Sequence, residues 1–172
     1  MTAHDHHESG KTGHENHYLR LLAMTALSFA AMYVLMYAMV DRFASVHPNL
    51  NQAYMAALMA APMVLIELGL MSSMYHNRTA NIVIAAVSVV ATIGFFLTIR
   101  QQTAIGDTQF LRSMIPHHSG AILMCQKAAL SDPAIKKLCD QIIESQRSEI
   151  AQMEAMLRKG TGDTARVGLR GQ

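Results

Sequence analysis

The sequence predicts an all-α protein in which three transmembrane helices are followed by a C-terminal antiparallel helical hairpin. The first observation behind this fold class is a set of three long apolar runs, at residues 18–40, 53–74 and 82–99. The second is a fall in hydropathy after Arg100, where apolar residues begin to recur at the spacing of an amphipathic helix. We therefore expect four segments: a His-rich disordered tail (1–17), a membrane domain (18–100), the hairpin (107–159) and a flexible tail (160–172).

Each apolar run is about long enough to cross the roughly 30 Å hydrocarbon core of a bilayer as a helix. None of the three shows the polar stripe that helices of a soluble protein carry. Basic residues flank both sides of the runs equally, so the positive-inside rule does not orient the chain. Three crossings put the two ends of the chain on opposite sides of the membrane.

Composition narrows the classes of function. The 172 residues carry a net charge of only +2, with no basic patch interleaved with aromatic residues, which argues against nucleic acid as a partner. The chain has 14 methionines and 9 histidines, whereas Cys125 and Cys139 are its two cysteines and form no Cys-x-x-Cys pair. Zinc-ribbon and thioredoxin-like sites are therefore excluded.

The polar N-terminal tail contains five histidines, among them His4, His6 and His7. Such a composition permits loose binding of copper, zinc or nickel. The alternative is a solvated tail whose histidines bind nothing. We expect no cleaved signal peptide, because a charged flank, short apolar core and cleavage site are not found in this stretch.

The membrane runs contain methionines at helical spacing and one carboxylate, Glu67. A carboxyl at that depth costs roughly 2.5–3.5 kcal/mol on insertion scales unless it is neutral or paired. One hypothesis is that a copper-handling site forms from Met32, Met36, Met59, Met63 and Glu67. The alternative, which we favour, is ordinary methionine packing with Glu67 neutral and hydrogen-bonded to a neighbouring hydroxyl.

The hairpin has recognisable helix boundaries. Asp107 is the predicted N-cap of its first helix, and Ser131-Asp132-Pro133 marks the start of the second. Gly160 is expected to end that second helix. Because a short turn makes the two helices antiparallel, the position of the turn predicts which side chains face each other.

With the turn centred near residue 132, His118 faces Gln146 on the second helix. Met114 then lies near Glu149 and Met153. The candidate metal ligands of the hairpin are Met114, His117, His118, Met124, Glu149 and Met153.

Thioether and imidazole groups together favour copper, and Cu(I) more than Cu(II). Zinc is less expected, because it more often takes cysteine or carboxylate beside histidine. His117 and His118 point about 100° apart on a helix, so both are not expected to serve one ion. The second imidazole would face another ion or a partner chain. The alternative is that Met114, Met124 and Met153 are core fillers and the histidines only pack.

Cys125 faces Cys139 across the predicted hairpin, which allows two interpretations. In an oxidising compartment they would form a disulfide worth roughly 3 kcal/mol for the loop it closes. In a reducing compartment they would remain buried thiols or serve as extra copper ligands. The register favours the disulfide.

A longer pattern runs through the hairpin. Its two most specific parts are Met114-Ile-Pro-His-His118 and Gln146-x-x-Glu-Ile-x-x-Met153. Around them lie Asp107, Phe110, Ala121-Ile122, Met124, Pro133 and Ile142-Ile143. This pattern resembles the domain of unknown function 305 family.

The resemblance implies a ferritin-like helical fold, usually outside the bacterial cytoplasm, with some members binding copper through methionine and histidine and linked to copper resistance. With the three predicted crossings, it implies a multi-pass protein of the bacterial inner membrane, with the hairpin in the periplasm and the His-rich tail in the cytoplasm. Larger relatives carry two hairpins that make a four-helix bundle. This chain has one, half of such a bundle, so we expect a homodimer.

A ferritin-like fold raises the question of di-iron oxidase chemistry, which needs Glu-x-x-His pairs. Glu144, Glu149 and Glu154 have no such histidine partner, so we expect no enzyme activity. We interpret the chain as a membrane-anchored protein that stores or buffers Cu(I), or hands it to a partner protein. The alternative is a membrane-anchored interaction or scaffold module without a metal role.

Overall fold

The computed structural model describes the backbone of residues 9–169 and the side chains of residues 17–160. Throughout the described backbone the regular structure is helical, which confirms the all-α prediction. The α-helices are α1 (Ser9–Leu35), α2 (Leu50–Leu70), α3 (Arg78–Gln101), α4 (Asp107–Lys127) and α5 (Pro133–Leu169). Two short 3-10 helices, Met36–Met39 and Phe43–Ser45, lie in the connection between α1 and α2.

Three segments are long and apolar enough to cross a membrane, as the sequence predicts: His17–Met39, Leu50–Leu70 and Arg78–Gln101. Their mean hydropathies are 1.8, 1.8 and 2.6 over the most apolar 18 residues. At most 22% of the residues in any of these windows is buried inside the protein. A lipid environment favours such helices, because their exposed side chains are apolar and their backbone hydrogen bonds are satisfied within each helix.

The structure corrects three predicted boundaries. Helix α1 begins at Ser9, within the tail that we expected to be disordered, since extending an existing helix costs little compared with nucleating one. Helix α5 continues through Gly160 to Leu169, because one glycine lowers helix stability by only about 1 kcal/mol. The N-cap of α4 is Gly106, and Asp107 is the first helical residue, where its charge favours the helix dipole.

The chain divides into two compact units, and the first contains residues up to 34 and residues 53–101. Ala56 and Ala60 are almost fully buried, as is typical where small residues let membrane helices approach closely. A polar clasp closes one end: the Tyr18 hydroxyl donates to Asn81 Oδ1 at 2.8 Å, and Asn81 Nδ2 donates to the Tyr75 carbonyl at 2.8 Å. The clasp joins the start of α1 to the α2–α3 connection.

The second unit contains residues 35–52 and the chain from residue 102. Its core is formed where α4 packs on α5 by the buried residues Ile115, Ile122, Ile150 and Met153. The two helices run in opposite directions, since Cys125 near the end of α4 is bonded to Cys139 near the start of α5, and His118 contacts Glu149. These contacts bring together side chains from the middle of both helices.

The α1–α2 connection packs against α4, a contact that the sequence analysis did not anticipate. The Ser119 hydroxyl, fully buried, donates to Asp41 Oδ1 at 2.5 Å and accepts from the Asp41 backbone N–H at 2.7 Å. The Leu50 backbone N–H donates to Gln109 Oε1 at 3.0 Å. The connection therefore covers one side of α4, and we call residues 36–50 the strap.

Candidate functional site

His118 lies at the centre of the candidate site, and hydrogen bonds engage both of its ring nitrogens. The residue is 9% exposed. Its Nδ1 lies 2.9 Å from the Met114 carbonyl oxygen, one turn earlier in α4. Its Nε2 lies 2.7 Å from Glu149 Oε2 on α5. The imidazole is thus held between its own helix and the facing one.

Glu149 is positioned by a second contact on its own helix. The Ser145 hydroxyl donates to Glu149 Oε1 at 2.8 Å, while Oε2 faces His118. The Ser145 hydroxyl, and after it the hydrogen bond from His118, lower the pKa of the Glu149 carboxyl below its ordinary value. Both contacts favour the ionised form of this half-exposed side chain.

These partners specify which hydrogens the imidazole carries. A backbone carbonyl only accepts, so Nδ1 of His118 carries a hydrogen. Oε2 of Glu149 faces Nε2 at 2.7 Å, so in the metal-free pair a second hydrogen lies between these two atoms. A metal ion at Nε2 would replace that second hydrogen. The Nδ1–H bond to a carbonyl is the outer contact that orients a metal-binding histidine.

The local sequence explains why α4 places these groups here. Pro116 has no N–H, so the Arg112 carbonyl loses its helical partner. The buried Asn49 of the strap directs Nδ2 toward that carbonyl oxygen at 3.4 Å. The helix continues through Pro116, and His118 follows on the side that faces α5.

The predicted ligands do not all meet in one place. Met153 is buried in the core, one turn after Glu149, and Met114 is half-buried against the same core, one turn before His118. His117 and Met124 are exposed. Among the side chains that the structure describes, no three from His, Cys, Asp and Glu are grouped to hold a metal ion. A site within one chain would therefore combine His118 and Glu149 with thioethers.

The α4–α5 pair matches a known protein family. The model of the family described as Domain of unknown function (DUF305) matches residues 97–157, which include the end of α3, all of α4 and the first two-thirds of α5. The chain belongs to the DUF305 family. The matched region contains His118, Glu149, Met114 and Met153.

A further relative extends the likeness beyond the DUF305 region. Uncharacterized protein L153 of Acanthamoeba polyphaga mimivirus is 35% identical to this chain over 140 residues. The alignment covers 80% of this chain and 90% of that protein, more than twice the length of the DUF305 match. The likeness therefore includes part of the chain outside the α4–α5 pair. No solved structure matches the chain.

The cysteines of this DUF305 protein form a disulfide between Cys125 and Cys139, with their Cα atoms 5.2 Å apart. This confirms the pairing that the predicted register favours. It corrects the alternative in which the two thiols are extra copper ligands, because sulfur atoms bonded to each other are not thiolates. The bond joins the end of α4 to the start of α5.

At His118 the observed partner on α5 lies about one helical turn from the predicted one. His118 contacts Glu149 rather than Gln146, because helical side chains point toward the N-terminus of their helix. His118 therefore leans toward Met114, and Glu149 leans back toward His118. Asp41, Asn49 and Ser119 were missed altogether, because the strap has no periodic pattern that would predict its contact with α4.

The membrane candidates belong to both units. Met32, Met59 and Met63 belong to the first unit and Met36 to the second. Glu67 is hydrogen-bonded to the Tyr75 hydroxyl; burial, and after it this carboxylate, raise the pKa of Tyr75 above its ordinary value. The favoured alternative expects a hydroxyl partner of this kind, while its neutral Glu67 stays a prediction. The copper-handling hypothesis for this set stays a prediction, and His4, His6 and His7 lie outside the described residues.

Proposed function

We propose that this DUF305 protein is a membrane-anchored copper-binding protein that stores or buffers Cu(I), or hands it to a partner protein. The observation that carries the proposal is the arrangement of His118. Its Nδ1 is fixed on a backbone carbonyl, and its Nε2 points at the Glu149 carboxylate. Met114 and Met153 lie one turn away on the two helices, so a soft metal would find imidazole, carboxylate and thioether donors together.

Cu(I) suits this donor set better than other common ions. Thioether sulfur needs no deprotonation and prefers soft cations. The disulfide removes both cysteines from the ligand supply, so a zinc site rich in thiolate is disfavoured. When bound, the ion would take the place of the hydrogen on Nε2 of His118, and the thioethers would keep it in the reduced state.

The fold and location follow the same proposal. The α4–α5 pair is an antiparallel hairpin that forms half of a ferritin-like four-helix bundle. It lies in the periplasm of a bacterium; the three apolar segments cross the inner membrane in contact with lipid, and the N-terminus lies in the cytoplasm. The Cys125–Cys139 disulfide supports an oxidising compartment for this unit, since disulfides persist there.

An anaerobic Cu(I) titration of the full chain in detergent micelles, against a competing chelator, tests the proposal. Changing His118 to Ala is expected to weaken Cu(I) binding by about tenfold or more, the loss of 1.4 kcal/mol or more of binding energy. His76→Ala is the matched control, because His76 is a histidine of the α2–α3 connection in the other unit. It is expected to bind like the wild type.

Equal Cu(I) affinities for the wild type and His118→Ala would contradict a copper site at this residue. The scaffold alternative would then be favoured, because His118 and Glu149 would serve only to join α4 to α5. Helix content measured by circular dichroism shows whether a loss of binding reflects loss of the fold. The conservative variant Glu149→Gln keeps the side-chain shape, and its Cu(I) affinity provides a second test of the same site.

A further inference from the structure

One face of the α4–α5 pair carries a regularly spaced, mainly apolar stripe. The core positions of α4 include Leu111, Ile115, His118 and Ile122, and those of α5 include Ile143, Ile150, Met153 and Leu157. The residue before each core position lies about 100° around its helix. Because the helices run in opposite directions, both rotations turn toward the same side of the pair. We call this side the open face.

On α4 the open face shows the four- and three-residue spacing of a coiled-coil seam. The residues are Phe110, Met114, His117, Ala121 and Met124. On α5 the same spacing gives Leu138, Ile142, Ser145, Glu149, Gln152 and Met156. Seven of these eleven residues are apolar, and a mainly apolar seam of this kind is a pattern by which helices bind other helices.

The described chain leaves this face exposed and covers a different side of α4. Phe110 is 49%, Met124 56% and Met156 54% exposed, high values for large apolar side chains. Phe110 and Met156 line an open groove of about 720 Å³ at one end of the face. The strap lies instead against the side that contains Ser119 and Gly120.

The positions of the side chains along the helix axes indicate that the open face fits a second copy of this chain. The contact of His118 with Glu149 places His117 level with Glu149. Phe110, two turns earlier on α4, is level with Met156, two turns later on α5. Met124 is correspondingly level with Ile142. If α4 of one copy lies over α5 of the other, these three pairs face each other across the interface.

This register matches the chemistry of each pair. Two pairs are apolar, and the third brings an imidazole to a carboxylate. Shifting one copy by a single turn would place Phe110 on Gln152 and His117 on Ser145, which loses both matches. A two-fold axis parallel to the helices generates this arrangement twice, so the same face serves both copies.

We infer that two copies pair through the open face, and that His117 of each copy completes the metal site formed by His118 and Glu149 of the other. This rests on the proposed copper binding. Within one chain the described side chains supply His118 and Glu149 but no third histidine or carboxylate. Across the interface His117 of the second copy becomes that third donor. Each dimer then holds two equivalent sites.

The oligomeric state of the full chain in detergent, measured by native mass spectrometry, tests the pairing. The wild type is expected to be a dimer, and Phe110→Ser is expected to weaken dimerisation by about tenfold or more, because it removes a large aromatic side chain from the interface. Phe43→Ser is the matched control, because Phe43 is 94% exposed in the strap and lies off the open face. A monomeric wild type, or equal effects of both substitutions, would overturn the pairing.

The register is tested by placing a benzophenone amino acid at position 110. Irradiation of mixed isotope-labelled and unlabelled copies is expected to join position 110 of one copy to the peptide that contains Met156 of the other. A cross-link to the peptide that contains Met124 would place α4 on α4. That arrangement separates His117 from Glu149 of the second copy and overturns the shared site.

Complementation tests the shared site directly. Copies with His117→Ala and copies with His118→Ala are each expected to lose tight Cu(I) binding. A heterodimer of the two, purified through different affinity tags, retains one complete site and is expected to bind half as much Cu(I) as the wild type. Glu149→Gln replaces His118→Ala if the latter loses helix content.

The outcomes separate the inference from the proposed function. Full Cu(I) binding by His117→Ala, or no recovery in the heterodimer, overturns the shared site while wild-type binding upholds the copper proposal. If the wild type binds no Cu(I), the copper proposal and the shared site both fail. The pairing of copies is then still decided by the results at Phe110.

Discussion

Each of the two units of this chain is stabilised internally by different kinds of contact. The first unit buries small residues such as Ala56 and Ala60 and a core of Leu21, Val64 and Tyr75, and polar contacts such as those of Tyr18 and Asn81 lie at one end. In the second, four large apolar side chains form a core, and buried polar groups fix the strap and His118 beside it. Side-chain identity therefore specifies faces in the second unit, whereas lipid compatibility suffices along much of the first.

The largest expected difference between the units comes from removing the same side chain in each. Ile115 is fully buried in the α4–α5 core, whereas Ile93 of α3 is 54% exposed. Ile115→Ala is expected to destabilise its unit by about 2–5 kcal/mol, because it removes apolar contacts and leaves a cavity. Ile93→Ala is expected to cost well under about 1 kcal/mol, since lipid replaces the lost contacts.

Hydrogen exchange in detergent micelles measures both effects, because each unit yields its own peptides. Faster exchange throughout α4 and α5 is expected for Ile115→Ala, with α3 unchanged. Similar increases for the two variants would contradict the contrast between a packed core and a lipid-exposed helix.

The disulfide provides the next largest effect, and it is confined to the second unit. Reduction of Cys125–Cys139 is expected to lower the stability of the α4–α5 pair by roughly 3 kcal/mol, the chain-entropy value for a loop of about 15 residues. The Cys125→Ser and Cys139→Ser double variant should match the reduced wild type and show no response to reductant. Unchanged exchange in α4 and α5 on reduction would show that the core alone maintains their packing.

The strap distinguishes polar from apolar stabilisation within the second unit. Ser119→Ala removes a buried hydroxyl that both donates to and accepts from Asp41. Leaving these groups unpaired is expected to cost about 1–3 kcal/mol. The exposed Ser148 is the matched control, and Ser148→Ala should change stability little.

Exchange of the strap peptides and of α4 distinguishes a local effect from a global one. Release of the strap is expected to expose residues 36–50 first and to leave the α4–α5 core intact. Loss of the whole pair at once would mean that the strap is a necessary part of the core.

The contrast between the units also explains how far the sequence could predict the molecule. The membrane helices were predictable because apolar content over about 20 residues is a local property. The disulfide was predictable because a short turn limits which residues of two helices can meet. His118 and Glu149 were both named as candidates, but their direct contact depends on how each side chain leans along its helix.

The strap could not be predicted, because its contacts join residues far apart in sequence. Asp41 and Ser119 are separated by 78 positions, and neither lies in a pattern that indicates its partner. Pro116 was the available local signal: it frees the Arg112 carbonyl, which calls for a donor from outside α4. The sequence does not reveal that Asn49 would supply that donor.

The smallest expected effect is a change in pH dependence, and it too is specific to the second unit. Ser145 and His118 lower the pKa of the Glu149 carboxyl in the folded chain. The ionised form therefore stabilises the fold above the unfolded-state pKa of about 4.3. This stabilisation is lost as pH falls through the lower folded-state value. Glu149→Gln cannot ionise and should flatten that part of the acid unfolding curve of α4 and α5.

Glu144→Gln is the matched control for this experiment, because Glu144 is an exposed carboxylate on the same helix. Its acid unfolding curve should follow that of the wild type, whereas Glu149→Gln should lose less stability on acidification. The first unit should respond equally in all three chains. Parallel curves for Glu149→Gln and the wild type would contradict this prediction. They would mean that the contacts with His118 and Ser145 do not make the ionised Glu149 stabilise the fold.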